Sequence, residues 1–111
     1  VVRLKFPGGL FIKLEQIRAL FIRSIHEIKV NPGKSARLRA YASQYTTMEG
    51  AVDICRLAIR TCGGRSMLKT FPLERMYRDA RCGSLMFPWT AEACLDRLGR
   101  ETLYQKDETD D

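Results

Sequence analysis

Eight residues, Leu38, Tyr41, Tyr45, Met48, Val52, Cys55, Ile59 and Cys62, follow one another at steps of 3, 4, 3, 4, 3, 4 and 3. Alternating three- and four-residue steps return to one side of a 3.6-residue helix, so this stretch predicts one long helix with an unbroken apolar seam. Arg37, Gln44 and Arg56 are assigned to the opposite face, and Ala40, Ala42, Ala51 and Ala58 offer small side chains where a neighbouring helix can approach closely. Gly63-Gly64 is expected to end the helix as a left-handed cap. A seam of about three and a half heptads suits a globular bundle better than a free coiled coil.

Such a seam needs partners, and the rest of the chain supplies helices rather than strands. Leu10, Leu14, Ile17, Phe21, Ser24 and Ile28 again alternate by four and three, while Phe11, Ile12, Leu20, Ile22 and Ile25 lie off that stripe. The surplus predicts a helix that packs on two sides. It should stop near Lys29 or Val30, before the turn-forming Asn31-Pro32-Gly33. Ahead of it, Pro7-Gly8-Gly9 reads as a breaker cluster, leaving residues 1–9 as an irregular lead-in. Residues 65–88 read as a long irregular connection, interrupted by Pro72, Gly83-Ser84 and Pro88, in which Leu73 to Ala80 supply two helical turns. A last helix opens near Thr90, carries Ala91, Cys94, Leu95 and Leu98 on one side, and ends near Gly99. The acidic residues 106–111 contain no apolar side chain and are expected to be disordered. The expected architecture is all-α, an up-and-down helical bundle formed by residues 10–105.

Charge and cysteine usage narrow the chemistry. The formal net charge is +6, but the tail 106–111 holds four carboxylates, and the basic excess of the remainder is spread along the whole chain, interleaved with Glu and Asp. No basic stripe or aromatic nucleic-acid motif is present, so no nucleic-acid partner is expected. The longest apolar run, Ala19 to Ile22, falls far short of the roughly 20 residues that span a bilayer, so no membrane insertion is expected. Cys55, Cys62, Cys82 and Cys94 show no zinc-ligand spacing, and His26, the single histidine, is read as a solvated helix-flank residue; no metal site is predicted. Cys55 and Cys62 fall on one helix face but about 10 Å apart along the axis, too far for a disulfide. Reduced thiols fit an intracellular setting, cytoplasmic or alternatively the mitochondrial matrix.

Three segments carry an ordered pattern: Arg60-Thr61-Cys62-Gly63-Gly64, then Phe71-Pro72-Leu73-Glu74-Arg75-Met76-Tyr77-Arg78-Asp79-Ala80, then Trp89-Thr90-Ala91-Glu92. Together they resemble the C-terminal domain of acyl-CoA dehydrogenases, which carries a long helix ending in Gln-x-x-Gly-Gly, a Pro-x-x-Arg-x-x-Arg-Asp-Ala stretch, and a Glu-Gly-Thr-x-x-Ile opening to its last helix. The resemblance spans about Leu10 to Tyr104 and is sharpest from Arg60 to Glu92. It implies part of a four-helix bundle whose first long helix lies upstream, in an enzyme that also has an N-terminal helical domain and a middle β domain. By that resemblance the chain corresponds to the last third or less of an FAD-dependent, homotetrameric enzyme that dehydrogenates acyl-CoA thioesters at the α,β-bond.

The resemblance also assigns residues. Arg60, Gly63 and Gly64 take the place of the family's Gln-x-x-Gly-Gly corner, which contacts the adenine-ribose portion of a neighbouring subunit's FAD. Glycines at a helix end allow close approach to main-chain amides, whereas Arg60 replaces an amide with a donor-only guanidinium suited to phosphate or stacking. Thr90 and Glu92 correspond to residues that contact the flavin nucleotide, and a hydroxyl at a helix start either caps amides or meets a phosphate. Arg78 and Asp79 are read as a structural pair that organises backbone. No catalytic residue is assigned: Pro88 stands where the family's catalytic Glu lies, and Arg81 to Thr90 contains no carboxylate or His. The competing functions are an acyl-CoA dehydrogenase-like flavin monooxygenase and a non-catalytic helical interaction module.

Overall fold

A computed structural model of the chain describes the backbone of residues 2–103 and the side chains of residues 7–103; the tail 106–111 lies outside that range. Four α-helices follow in order: α1 Val2–His26, α2 Lys34–Cys62, α3 Leu73–Gly83 and α4 Ala91–Leu103. A 3-10 turn, Gly64–Met67, follows α2 directly, and no strand occurs among the described residues. The chain is all-α, as its periodicity requires.

The long seam produced α2, and α2 organises everything else. Its seam side meets the later helices: the Tyr41 ring packs on Trp89 with centroids 6.1 Å apart, and Met48 lies against Gly83. The opposite side meets α1. Nine residues separate Tyr41 from Gly50, which puts Gly50 about 180° around the helix, against Ile17 of α1. Lys13 bonds Asp53 at 3.2 Å and Glu27 bonds Arg39 at 2.9 Å, so α1 runs antiparallel to α2. α3 returns along the second half of α2, and α4 continues over the first half until Glu101 meets Arg37 at 3.5 Å. The result measures 53 × 28 × 24 Å, with α2 between α1 on one side and α3 with α4 on the other.

Single-helix layers leave little interior. The buried residues are small: Ala91 and Cys94 among the apolar ones, Ser43, Ser66 and Ser84 among the polar ones. Small side chains sit there because two helix backbones approach most closely where neither carries bulk.

Five expectations are corrected. The lead-in expected over residues 1–9 is not irregular from Val2 on, since α1 already runs from there through Pro7. A proline forfeits its own N–H bond and crowds the carbonyl four residues back, but every later residue keeps its donor, so a proline near a helix start interrupts little. α1 does not pack on two sides: among the described helices only α2 touches it, and Phe11, Ile22 and Ile25 remain exposed. Arg37 is not on the face opposite the seam; only about 40° of helix rotation separates it from Tyr41, which turns it to Glu101. The connection after residue 64 is more ordered than its breakers suggest, because α3 extends through Arg81 and Cys82 to Gly83. α4 likewise passes through Gly99, a costly but tolerated helix residue, to Leu103.

Candidate functional site

The residues singled out by sequence form two groups. In the first, α2 ends at Cys62 because Gly63 adopts φ 86° and ψ −173°, a region essentially confined to glycine. This is a positive-φ stop of a different kind from the left-handed cap expected. The Gly63 N–H donates to the Ile59 carbonyl at 2.8 Å, which closes the helix. Ser66 then folds under the corner: its N–H and its hydroxyl donate to the Gly63 carbonyl at 3.0 and 2.6 Å, and its side chain is buried. The corner is therefore held from inside, while Arg60, Gly63 and Gly64 are exposed.

The two glycines differ in a way that bears on function. Gly63 is dictated by its backbone angle. Gly64 has ordinary φ, and a Cβ built on it meets nothing within 4 Å. Among the described residues nothing explains the absence of a side chain at Gly64, and the open space above it leaves room for a ligand or neighbour at the main chain.

The second group surrounds the start of α4. Thr90 is its cap: the hydroxyl oxygen accepts from the Ala93 N–H at 3.1 Å, and the Thr90 carbonyl accepts from Cys94 N–H at 3.1 Å. The Ala91 N–H is taken by the Ser84 carbonyl at 3.0 Å. Three of the first amides of α4 are thus bonded internally, and the Thr90 hydroxyl keeps its own proton to donate outward. Glu92 is exposed on that first turn, where a carboxylate complements the helix dipole. Its charge disfavours a phosphate alongside it.

Between Ser84 and Thr90 the chain makes a tethered loop with an apolar tip. Its base is fixed by the Ser84–Ala91 bond and by Trp89 on Tyr41, whereas Leu85, Met86 and Phe87 project outward, Phe87 with 89% of its surface exposed. Pro88 follows a cis peptide bond in this loop and offers no proton acceptor. Asp79, exposed on α3, is not paired with Arg78; the Arg78 guanidinium donates to Glu74 at 2.9 Å instead. Adjacent helical residues diverge by about 100°, while residues four apart meet, so the expected Arg78–Asp79 pair is geometrically disfavoured.

The structure brings Arg60, Gly63 and Gly64 together, and Thr90 and Glu92 together, but it does not unite the two groups. Tyr41, which marks the position of Trp89 and Thr90, precedes Gly63 by 22 residues of α2, or about 33 Å of helix rise. Sequence reasoning missed Ser84 and Arg97. Ser84 is 1% exposed and joins the end of α3 to the start of α4; its position beside Gly83 had marked it only as an interruption. Arg97 lies over the Tyr41 ring at 5.6 Å, a contact that no local pattern announces.

Among the described residues no three His, Cys, Asp or Glu side chains gather as metal ligands, and no helix is long and apolar enough to cross a membrane. Burial pushes the Cys55 and Cys94 thiols up from their ordinary range.

A long helix closed by a glycine corner, followed by a short helix and a threonine-capped final helix, defines an all-α helical domain. The family model described as acyl-CoA dehydrogenase, C-terminal domain, matches residues 8–100, and the chain belongs to that family. No curated protein and no solved structure matches it.

Proposed function

We propose that the protein serves an FAD-dependent, acyl-CoA dehydrogenase-like oxidoreductase as the C-terminal helical part that helps hold the cofactor and joins subunits. Gly64 carries this reading: the fold makes no demand for glycine there, and the motif resemblance assigns a cofactor contact to that corner. Arg60 would meet an anionic or planar group of the cofactor with its guanidinium, and the Gly63-Gly64 backbone would lie against the same group. At the other end, Thr90 would donate its free hydroxyl proton to an acceptor of the nucleotide while its oxygen holds the cap, and Glu92 would accept from ribose hydroxyls. With some 33 Å of α2 between them, the two groups suit different cofactor molecules of an oligomer, in keeping with a cross-subunit tetramer.

FAD held by these residues would supply the hydride-accepting chemistry for the β-carbon of an acyl thioester. The matching α-proton must go elsewhere than the loop of residues 81–90, because Pro88 and its neighbours bear no base. The base therefore belongs outside this loop. The substrate in this reading is an acyl-CoA, and reduced cysteines suit action in the cytoplasm or, alternatively, the mitochondrial matrix. The same missing base gives a second reading its specific support: a flavin monooxygenase on this scaffold needs no α-proton acceptor there.

One experiment separates these readings. The purified full-length enzyme should carry flavin absorbance that bleaches anaerobically on adding acyl-CoA, whereas the 111 residues alone are expected to be inactive. Flavin that bleaches only with a reduced nicotinamide and then consumes oxygen would establish the monooxygenase reading. Flavin neither co-purifying nor binding when added would leave a helical interaction module.

A further inference from the structure

We propose that Tyr41, Trp89 and Arg97 form a clamp that positions Thr90. Trp89 immediately precedes Thr90 and Arg97 lies two turns into α4, yet both reach the same ring on α2: Trp89 with centroids 6.1 Å apart at 32°, Arg97 with its guanidinium carbon 5.6 Å from the centroid. The tilted aromatic pair and the cation over a ring are each favourable geometries. Tyr41 is thus a peg that the start of α4 grips from both ends, with Ala91 and Cys94 buried between.

A second tether completes the device. Arg81 Nη1 donates to Ser84 Oγ at 3.3 Å, and the buried Ser84 carbonyl accepts the Ala91 N–H. Thr90 therefore lies between two fixed neighbours, the Trp89 ring and the bonded Ala91 amide. The loop before it is tied in as well, since the Trp89 N–H donates to the Met86 carbonyl at 3.0 Å. Such fixing matters at a ligand-contacting hydroxyl, because a group held in place loses less freedom on binding. None of the three clamp residues is required to touch the ligand; they are positioning residues. This rests on the reading of Thr90 as a cofactor contact.

Trp89 is the single tryptophan of the sequence, so its fluorescence reports on the clamp alone. Three variants are compared with the parent protein: Tyr41→Leu, which removes the ring; Tyr41→Phe, which keeps it; and Arg97→Met, which keeps bulk but not charge. Trp89 anisotropy, amide exchange of Ala93 and FAD dissociation are measured at a temperature where circular dichroism shows all helices intact. Tyr41→Leu should lower the anisotropy, speed Ala93 exchange about tenfold and weaken FAD binding by a similar factor, as expected for losing two modest contacts. Arg97→Met should give about threefold effects, and Tyr41→Phe should restore parent behaviour. Unchanged anisotropy and exchange in Tyr41→Leu would overturn the clamp. Faster exchange with unchanged FAD dissociation would overturn its role toward the ligand. A full-length parent enzyme that binds no FAD would refute the cofactor reading, while anisotropy and exchange would still decide whether the clamp exists.

Discussion

Replacing Gly63 and Gly64 singly by alanine separates a glycine required by the fold from one required by something outside it. At Gly63 the backbone sits at φ 86°, ψ −173°, where a Cβ costs of order 1–3 kcal/mol. The reduced freedom of the unfolded chain offsets about 0.4–1 kcal/mol of that, so Gly63→Ala should lose roughly 1–2 kcal/mol. At Gly64 the angle is ordinary and the space open, so only the unfolded-state term remains and Gly64→Ala should be neutral or up to about 1 kcal/mol more stable. With a urea slope of about 1.5 kcal/mol per molar, the two unfolding midpoints should differ by about 1–2 M. Flavin dissociation should show the reverse order of interest: Gly64→Ala, with its fold intact, should weaken FAD retention tenfold or more by holding the ligand off the main chain. Urea unfolding followed by circular dichroism, with flavin release measured on the same preparations, decides the matter. A Gly63→Ala protein as stable as the parent would refute the conformational argument, and a Gly64→Ala protein that keeps FAD unchanged would remove the corner from the cofactor site.

Other perturbations address the packing and the charges. Gly50→Ala gains about 1 kcal/mol of helix propensity but drives its methyl into Ile17 Cδ1 and Cγ1, a conflict costing about 1–3 kcal/mol, so a net loss of up to about 2 kcal/mol is expected. Adding Ile17→Val should recover about 1 kcal/mol relative to additivity, and a double-mutant cycle showing no coupling would contradict the close α1–α2 approach. Arg39, foremost through its hydrogen bond, and Arg23 hold the Glu27 carboxyl below its ordinary value of 4.5. The stabilisation is therefore present above that value and is lost as the pH falls through the lower folded one, and Glu27→Gln should flatten the acid limb of the stability curve; an unchanged limb would count against the pair. Alkylation followed by mass spectrometry should label the exposed Cys62 and Cys82 first, with Cys55 and Cys94 slower because burial raises their thiols, and a Cys94 that reacts as fast as Cys62 would contradict its packing.

What the sequence determined by itself was the part governed by local periodicity and local backbone chemistry. The eight-residue seam fixed α2 and its meeting side for α3 and α4, since a 3.6-residue repeat is a property of neighbours along the chain. Gly63 and Thr90 were legible as helix ends for the same reason: a positive φ and a capping hydroxyl act within one turn. The second packing side of α2 was legible only in part: alanines such as Ala40 marked where a helix could approach, but Ser43, Gly50, Asp53 and Arg39 are small or charged and leave no apolar signal. Their contact with α1 rests on close approach and ion pairs between residues distant in sequence. The candidate site divides in the same way. Its residues could be named from their order along the chain, but the roughly 33 Å between its halves, the Ser84–Ala91 tether and the grip of Trp89 and Arg97 on Tyr41 depend on where three helices come to lie on a fourth. Only the tertiary structure decides that, because it is the combined burial of all the helices, and no single stretch of sequence, that sets their crossing positions.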